Sequence, residues 1–251
     1  MVEVSTSILN VKKGEESKTF FGLEAGKTDY FHIDVMDGKF VEKDTYQKML
    51  EYSAYIKRIS NLPLDVHLMV KDIKSAIEDF IPVEPNIITF HLEACKNKEE
   101  AMEFIKYIKE NNSKVGIAIK PETKIEEVYE FLPYIHMCLI MTVEPGKGGQ
   151  TYLSEMTEKI KKLKDYIEKN NIEVDIEVDG GINLKTAPEV KGAGANILVA
   201  GTAILIANDY STLAMKKCGA GFIILMEVSA LSQLLYKGAS ITVHDLFSLA
   251  I

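Results

Sequence analysis

The chain has 251 residues, enough to bury a full core and compatible with one barrel domain or two small ones. A formal charge of −8 and a pI near 5.3 argue against a nucleic-acid partner, which would need a basic face. Cys95, Cys138 and Cys218 show neither paired metal spacing nor a disulfide framework, and MVEVSTSIL lacks the apolar core of a secretion signal, so a cytoplasmic protein is expected.

In chain order, a first strand is predicted at 4–9, with Ser7 near its end and SILNVKKGEE following. A second, at 30–35, carries His32 and Asp34 in HIDVMDG, and a third, at 64–69, carries His67 in DVHLMV. The fourth, at 86–91, ends at His91 and is followed by Glu93. A helix is predicted at 98–110, where Met102, Ile105 and Ile108 form one stripe. Strands at 114–119 and 137–142 follow, the latter leading through Glu144 into PGKGGQ. A helix at 155–170 carries Met156, Ile160, Leu163 and Ile167 on one face. Strands at 174–178 and 195–200 run into Asp179 in EVDGG and into Gly201 and Thr202. Eight strands alternating with helix-periodic stretches predict parallel pairing through right-handed crossovers. The count favours a closed (β/α)8 TIM barrel. An open doubly wound sheet would usually place a glycine-rich turn after its first strand, and none is present.

Polar residues gather at the predicted C-terminal strand ends, where chemistry sits in this architecture. Residues two apart on a strand point the same way, so His32 and Asp34 aim together, as do His67 and Met69. His32, Asp34, His67 and Asp179 are candidate ligands of one divalent ion, zinc or a relative such as iron, manganese or cobalt. Two carboxylates at one ion also suit proton abstraction beside a carbonyl. The glycines of PGKGGQ, of Asp179–Gly180–Gly181 and of Gly201–Thr202 let backbone N–H groups converge on an anion, and a helix starting near Thr202 would add its positive end.

SIL, DYFHIDVMDGKFV, DVHLMV, FHLEA, MTVEPGKGGQ, IEVDGGIN and VAGTAI occur in the order and spacing of the ribulose-phosphate 3-epimerase family, which residues 4–210 resemble. The resemblance implies a (β/α)8 barrel that interconverts D-ribulose 5-phosphate and D-xylulose 5-phosphate. By position it implies His32, Asp34, His67 and Asp179 as metal ligands, with Asp34 and Asp179 also moving the protons. Ser7 and His67 would touch the sugar. Gly146, Lys147, Gly148, Gly149, Gly180, Gly181, Gly201 and Thr202 would surround the phosphate, and Met36, Met69 and Met141 would line the site. Epimerisation at C3 removes a proton beside the C2 ketone and returns one to the opposite face, so it needs two acid/base groups flanking a flat enediolate. A divalent ion would stabilise the charge of that enediolate, and methionine sulfur would keep water out.

The pattern is altered in places. PGKGGQ carries Lys147 where the family has an aromatic residue, FVEKDTYQ replaces the usual sequence after MDGKFV, and GT replaces GS after the eighth strand. Residues 1–210 are expected to form the barrel, and 211–251 a C-terminal extension that the resemblance does not cover. Within it, 219–236 holds one charge, Glu227, and is slightly short for a membrane span. Burial against the barrel or in a homo-oligomer interface is expected, not insertion in a membrane. His244 and Asp245 read as incidental polar residues. The same chemistry on a six-carbon ketose such as allulose 6-phosphate is an alternative, as is a non-catalytic barrel used for assembly. Lyase chemistry on a related barrel would want a lysine near the strand-two aspartates, where this chain has Met36.

Overall fold

The computed structural model describes residues 2–205. Strands β1 (Glu3–Ser7), β2 (Tyr30–Met36), β3 (Leu64–Met69), β4 (Ile87–His91), β5 (Lys114–Ile119), β6 (Met137–Met141), β7 (Asp175–Asp179) and β8 (Ile197–Ala200) pair in parallel in that order, and β8 closes on β1. The expected TIM barrel is present, with strand ends within two residues of those predicted. The helices are α1 (Glu16–Ala25), α2 (Tyr46–Ile59), α3 (Ile73–Phe80), α4 (Lys98–Glu110), α5 (Met156–Asn170), α6 (Ala187–Ala193) and α7 (Thr202–Leu205). The predicted helices at 98–110 and 155–170 correspond to α4 and α5.

One crossover departs from strict alternation. Between β5 and β6 the chain forms only two short 3-10 helices, Ile125–Val128 and Leu132–Tyr134. Pro121 precedes this stretch and Pro133 lies within the second 3-10 helix. Proline removes an N–H donor and disfavours helical backbone in the residue before it, so a longer helix has no room to propagate.

Strand side chains alternate between two environments. Outward residues such as Phe31, Ile33, Val66, Leu68, Phe90, Ile117, Ile140 and Val178 join Phe20, Leu23, Ile56, Ile77, Ile105, Ile160 and Leu163 of the helices in one large core. Phe20 of α1 packs edge-on against Phe31 at 5.8 Å and Tyr52 at 5.6 Å. Each such burial contributes about 1.5–3 kcal/mol, so this shell supplies most of the driving force.

The barrel interior is layered instead. Ile87, Met137 and Ile197 close its N-terminal end, and Leu9, Met36 and Met69 pack together at the other. Between them lies a wholly buried polar layer containing Ser5, His32, Asp65, Thr89 and Glu177. A buried polar layer is costly unless its groups are paired, which marks this end of the barrel for function.

Residues 206–251 lie outside the described residues, and so do the expected extension and its apolar stretch at 219–236. Among the described residues no helix is long and apolar enough to cross a membrane.

Candidate active site

Strand register builds the site. Across β2 and β3, His32 pairs with Asp65, Asp34 with His67 and Met36 with Met69; across β6 and β7, Met141 pairs with Asp179. One donor atom from each of His32, Asp34, His67 and Asp179 lies within 4.8 Å of all the others. His32 Nε2 is 3.4 Å from Asp34 Oδ1 and 4.0 Å from Asp179 Oδ2. His67 Nδ1 is 3.5 Å from Asp34 Oδ1 and 3.7 Å from Asp179 Oδ2.

These four donors fit a divalent ion. Tetrahedral ligands about 2.0–2.2 Å from an ion are about 3.3–3.6 Å from one another, close to the observed edges. The two imidazole nitrogens that face the centre, His32 Nε2 and His67 Nδ1, are buried and have no hydrogen-bond partner. Unpaired buried nitrogens are unfavourable, and two converging between carboxylates form a ligand set.

The electrostatics of the ion-free site are uneven. Burial disfavours charge on His32, but the Asp65 and Asp34 carboxylates outweigh it and hold its pKa well above the usual range. Burial would likewise raise Asp34, yet the His32 and His67 rings hold it below the ordinary carboxylate range. Asp179 goes the other way: burial and the nearby Asp34 carboxylate push it up to about 7. Burial lowers His67. The two aspartates therefore occupy one small space with opposite tendencies, one ionised and one half protonated at neutral pH.

A supporting set lies beneath. His32 Nδ1 is 2.6 Å from Asp65 Oδ2, which also accepts from Ser5 Oγ at 2.6 Å. Glu177 Oε1 lies 3.9 Å from His32 Nδ1. Burial and the Asp65 carboxylate raise the Glu177 pKa well above its usual range, and neither Glu177 oxygen has a hydrogen-bond partner among the described residues. Ser7 Oγ donates to Asp34 Oδ2 at 2.6 Å. Thr45 Oγ1 donates to the Asp34 carbonyl at 2.6 Å and accepts from Met36 N at 3.0 Å, fixing the end of β2.

Above these groups opens a cavity of about 450 Å³, within the range of small-molecule sites. Ser7, Asp34, Asp179, Met36, Met69, Met141, Gly146, Lys147, Gly148, Gly149, Gly180, Gly181, Gly201 and Thr202 all line it. His32 and His67 do not reach its wall; both are wholly buried below it. His67 was expected to touch the sugar as well, but its two nitrogens face the carboxylates and His91. Gly181 has φ +69°, and a Cβ there would sit 2.3 Å from Tyr152 N, so only glycine lets the chain pass. Gln150 Nε2 donates to the carbonyls of Glu144 and Lys147, clamping the 145–150 loop over the cavity.

Three participants escaped the sequence reading. Asn10 lines the cavity and donates to Thr202 Oγ1 at 3.3 Å. Asp65 and Glu177 sit two residues before His67 and Asp179 on the same strands. Period-two parity alone would have aimed them at the same interior.

A ribulose-phosphate 3-epimerase of Methanocaldococcus jannaschii is 37% identical over 212 residues, covering 84% of this chain and 88% of that one. One of Bacillus subtilis is 37% identical over 210 residues, covering 83% and 94%. Among solved structures, a 3-hexulose-6-phosphate synthase superposes with a TM-score of 0.62 at 17% identity, over 86% of this chain and 97% of that one, a likeness of fold alone. Residues 3–205 match the model of the ribulose-phosphate 3-epimerase family, and the chain belongs to that family.

Proposed function

We propose that this enzyme interconverts D-ribulose 5-phosphate and D-xylulose 5-phosphate by moving the C3 proton between Asp34 and Asp179. The observation that carries the reading is the convergence of these two carboxylates on one cavity. Inverting C3 requires one ionised carboxylate to take a proton and one protonated carboxyl group to return a proton to the other face. Asp34 is held ionised by the imidazoles beside it, and Ser7 fixes its second oxygen. In the ion-free site burial and Asp34 push Asp179 up to about 7, which makes it the more readily protonated of the two.

A divalent ion held by His32, Asp34, His67 and Asp179, zinc being the natural match to two nitrogens and two oxygens, would supply Lewis-acid stabilisation to the enediolate. The rest of the wall has separate tasks. Met36, Met69 and Met141 present polarizable, water-excluding surface to the flat intermediate. The turn at 146–149, Gly180, Gly181, Gly201 and Thr202 offer backbone N–H groups and a hydroxyl to the phosphate, with Lys147 adding positive charge.

The test is turnover of D-ribulose 5-phosphate in deuterated water by the wild type and by the Asp34→Asn and Asp179→Asn variants. Each variant should lose about 10²–10⁴-fold in net epimerisation, because each removes one face's acid/base group. Asp179→Asn should retain some solvent exchange from one epimer. The double variant should lose little more than either single one, since the pair acts as a unit. Wild-type epimerisation by either variant would overturn the two-base assignment.

A further inference from the structure

His67 is gripped from behind. While Nδ1 faces Asp34 and Asp179, Nε2 lies 3.0 Å from His91 Nε2, and the two rings stack with centroids 5.1 Å apart. His91 is wholly buried, and its Nδ1 lies 3.1 Å from Glu93 Oε2. The other Glu93 oxygen accepts from Lys120 N at 2.7 Å and from the Thr123 hydroxyl. Glu93 is thus tied to the chain just beyond β5.

Only one order of hydrogens satisfies this chain. A ring nitrogen that ligates an ion offers its lone pair, so a ligating His67 Nδ1 is bare and Nε2 carries the hydrogen. That hydrogen points at His91 Nε2, which must then be bare. The hydrogen of His91 therefore sits on Nδ1 and donates to Glu93. Glu93 can accept it because a carboxylate has no hydrogen of its own, and its other oxygen is already fixed. In the reverse order His67 would present an N–H to the centre, and ligation would be blocked.

We propose that His91 and Glu93 are positioning residues for the ion site: together they impose the His67 tautomer that leaves Nδ1 bare. The inference rests on the metal reading above. It gives the two ligand histidines different supports. His32 leans directly on a carboxylate, Asp65, whereas His67 leans on Glu93 through an intervening imidazole. Such supports set the orientation and basicity of a metal-bound imidazole.

The experiment is competition for Zn²⁺ between a chromophoric chelator and the full-length wild type, His91→Leu, His91→Gln and Glu93→Gln, alongside absorption spectra of the Co²⁺ forms. His91→Leu should lose about 10–100-fold in Zn²⁺ affinity and shift the Co²⁺ spectrum. His91→Gln should recover most of that loss, because an amide can accept from His67 through oxygen and donate to Glu93 through nitrogen. Glu93→Gln should fall between, since it places an N–H where an acceptor is needed. Wild-type affinity and spectrum in His91→Leu, or His91→Gln no better than His91→Leu, would overturn the proposal. Where His91→Leu does not fold, unchanged affinity in Glu93→Gln overturns it instead. A wild-type protein that binds neither ion would overturn the metal reading itself, a result distinct from a wild type that binds and variants that bind equally.

Discussion

Loading the ion site should expel protons, and the number follows from the four ligands. In the ion-free protein His32 is protonated at neutral pH, held so by Asp65 and Asp34. Its Nδ1 must keep a hydrogen for Asp65, so the proton that leaves on ligation is the one on Nε2. Asp179 sits at about 7 and is half protonated at pH 7. His67 is pushed down and Asp34 is held ionised, so neither has a proton to lose. At pH 7 the release is about one proton from His32 and about half from Asp179, about 1.5 per ion. Release should rise toward two protons as pH falls below 7 and fall toward one as pH rises above it, as Asp179 fills and empties.

Apparent affinity should therefore climb about 30-fold per pH unit around neutrality. Calorimetric titration of Zn²⁺ into metal-free protein, repeated in buffers of different ionisation enthalpy, reads the proton count directly. In Asp179→Asn the titrating half is gone, and release should stay at about one proton from pH 6 to pH 8. A heat independent of buffer at pH 7 would refute this account, because it would mean that His32 carries no proton in the empty site.

Two further outcomes can be checked separately. Gly181→Ala should lower stability by more than the roughly 1–2 kcal/mol of a left-handed alanine, because its Cβ meets backbone at Tyr152, and should raise KM through the displaced phosphate wall; an unchanged urea midpoint and KM would contradict it. Burial lowers His91 to about 4, so the unfolded chain takes up that proton first and the associated stability is lost as pH falls from 6.5 toward 4; the loss should reach about 2 kcal/mol at pH 5, read as the wild-type minus His91→Gln difference in urea midpoints between pH 7 and pH 5, and no difference would refute it.

The fold was legible because its signals are local. Most strands are short β-branched runs with polar residues at or just past their ends, so the eight-fold pattern and the four candidate ligands could be read in order. The crossover between β5 and β6 was misjudged as helix-periodic because Pro121 and Pro133 act on backbone donors, which hydrophobic spacing does not register. His91 and Glu93 were visible as polar rim residues, but their link to His67 was not. It depends on the β3–β4 register, which sets His67 beside Thr89 and leaves His91 one pleat further along, within reach of Nε2. Register is a property of the closed barrel and has no signature in either strand alone. The family resemblance supplied roles for the cavity wall, and geometry supplied the layer beneath it.

That layer poses a question of stability as well as function, because Asp65 and Glu177 are two buried carboxyl groups with oxygens within 4.8 Å of each other. Their surroundings assign them opposite states. Asp65 accepts from both Ser5 and His32, and the imidazolium holds it below its usual range against the effect of burial. Glu177 faces that negative charge and is pushed well above its usual range by burial and by Asp65. Near-isosteric amide substitutions should therefore differ sharply. In Glu177→Gln a neutral amide replaces a neutral carboxyl group of nearly the same shape, so the metal-free protein should unfold within about 1 kcal/mol of wild type. In Asp65→Asn the negative partner of a buried His32 cation is lost, and breaking such a pair costs about 3–5 kcal/mol. Urea unfolding of the two metal-free variants at pH 7 decides the matter. If Glu177→Gln is as damaging as Asp65→Asn, Glu177 is ionised in the fold, and the assignment of one shared proton to this layer is wrong.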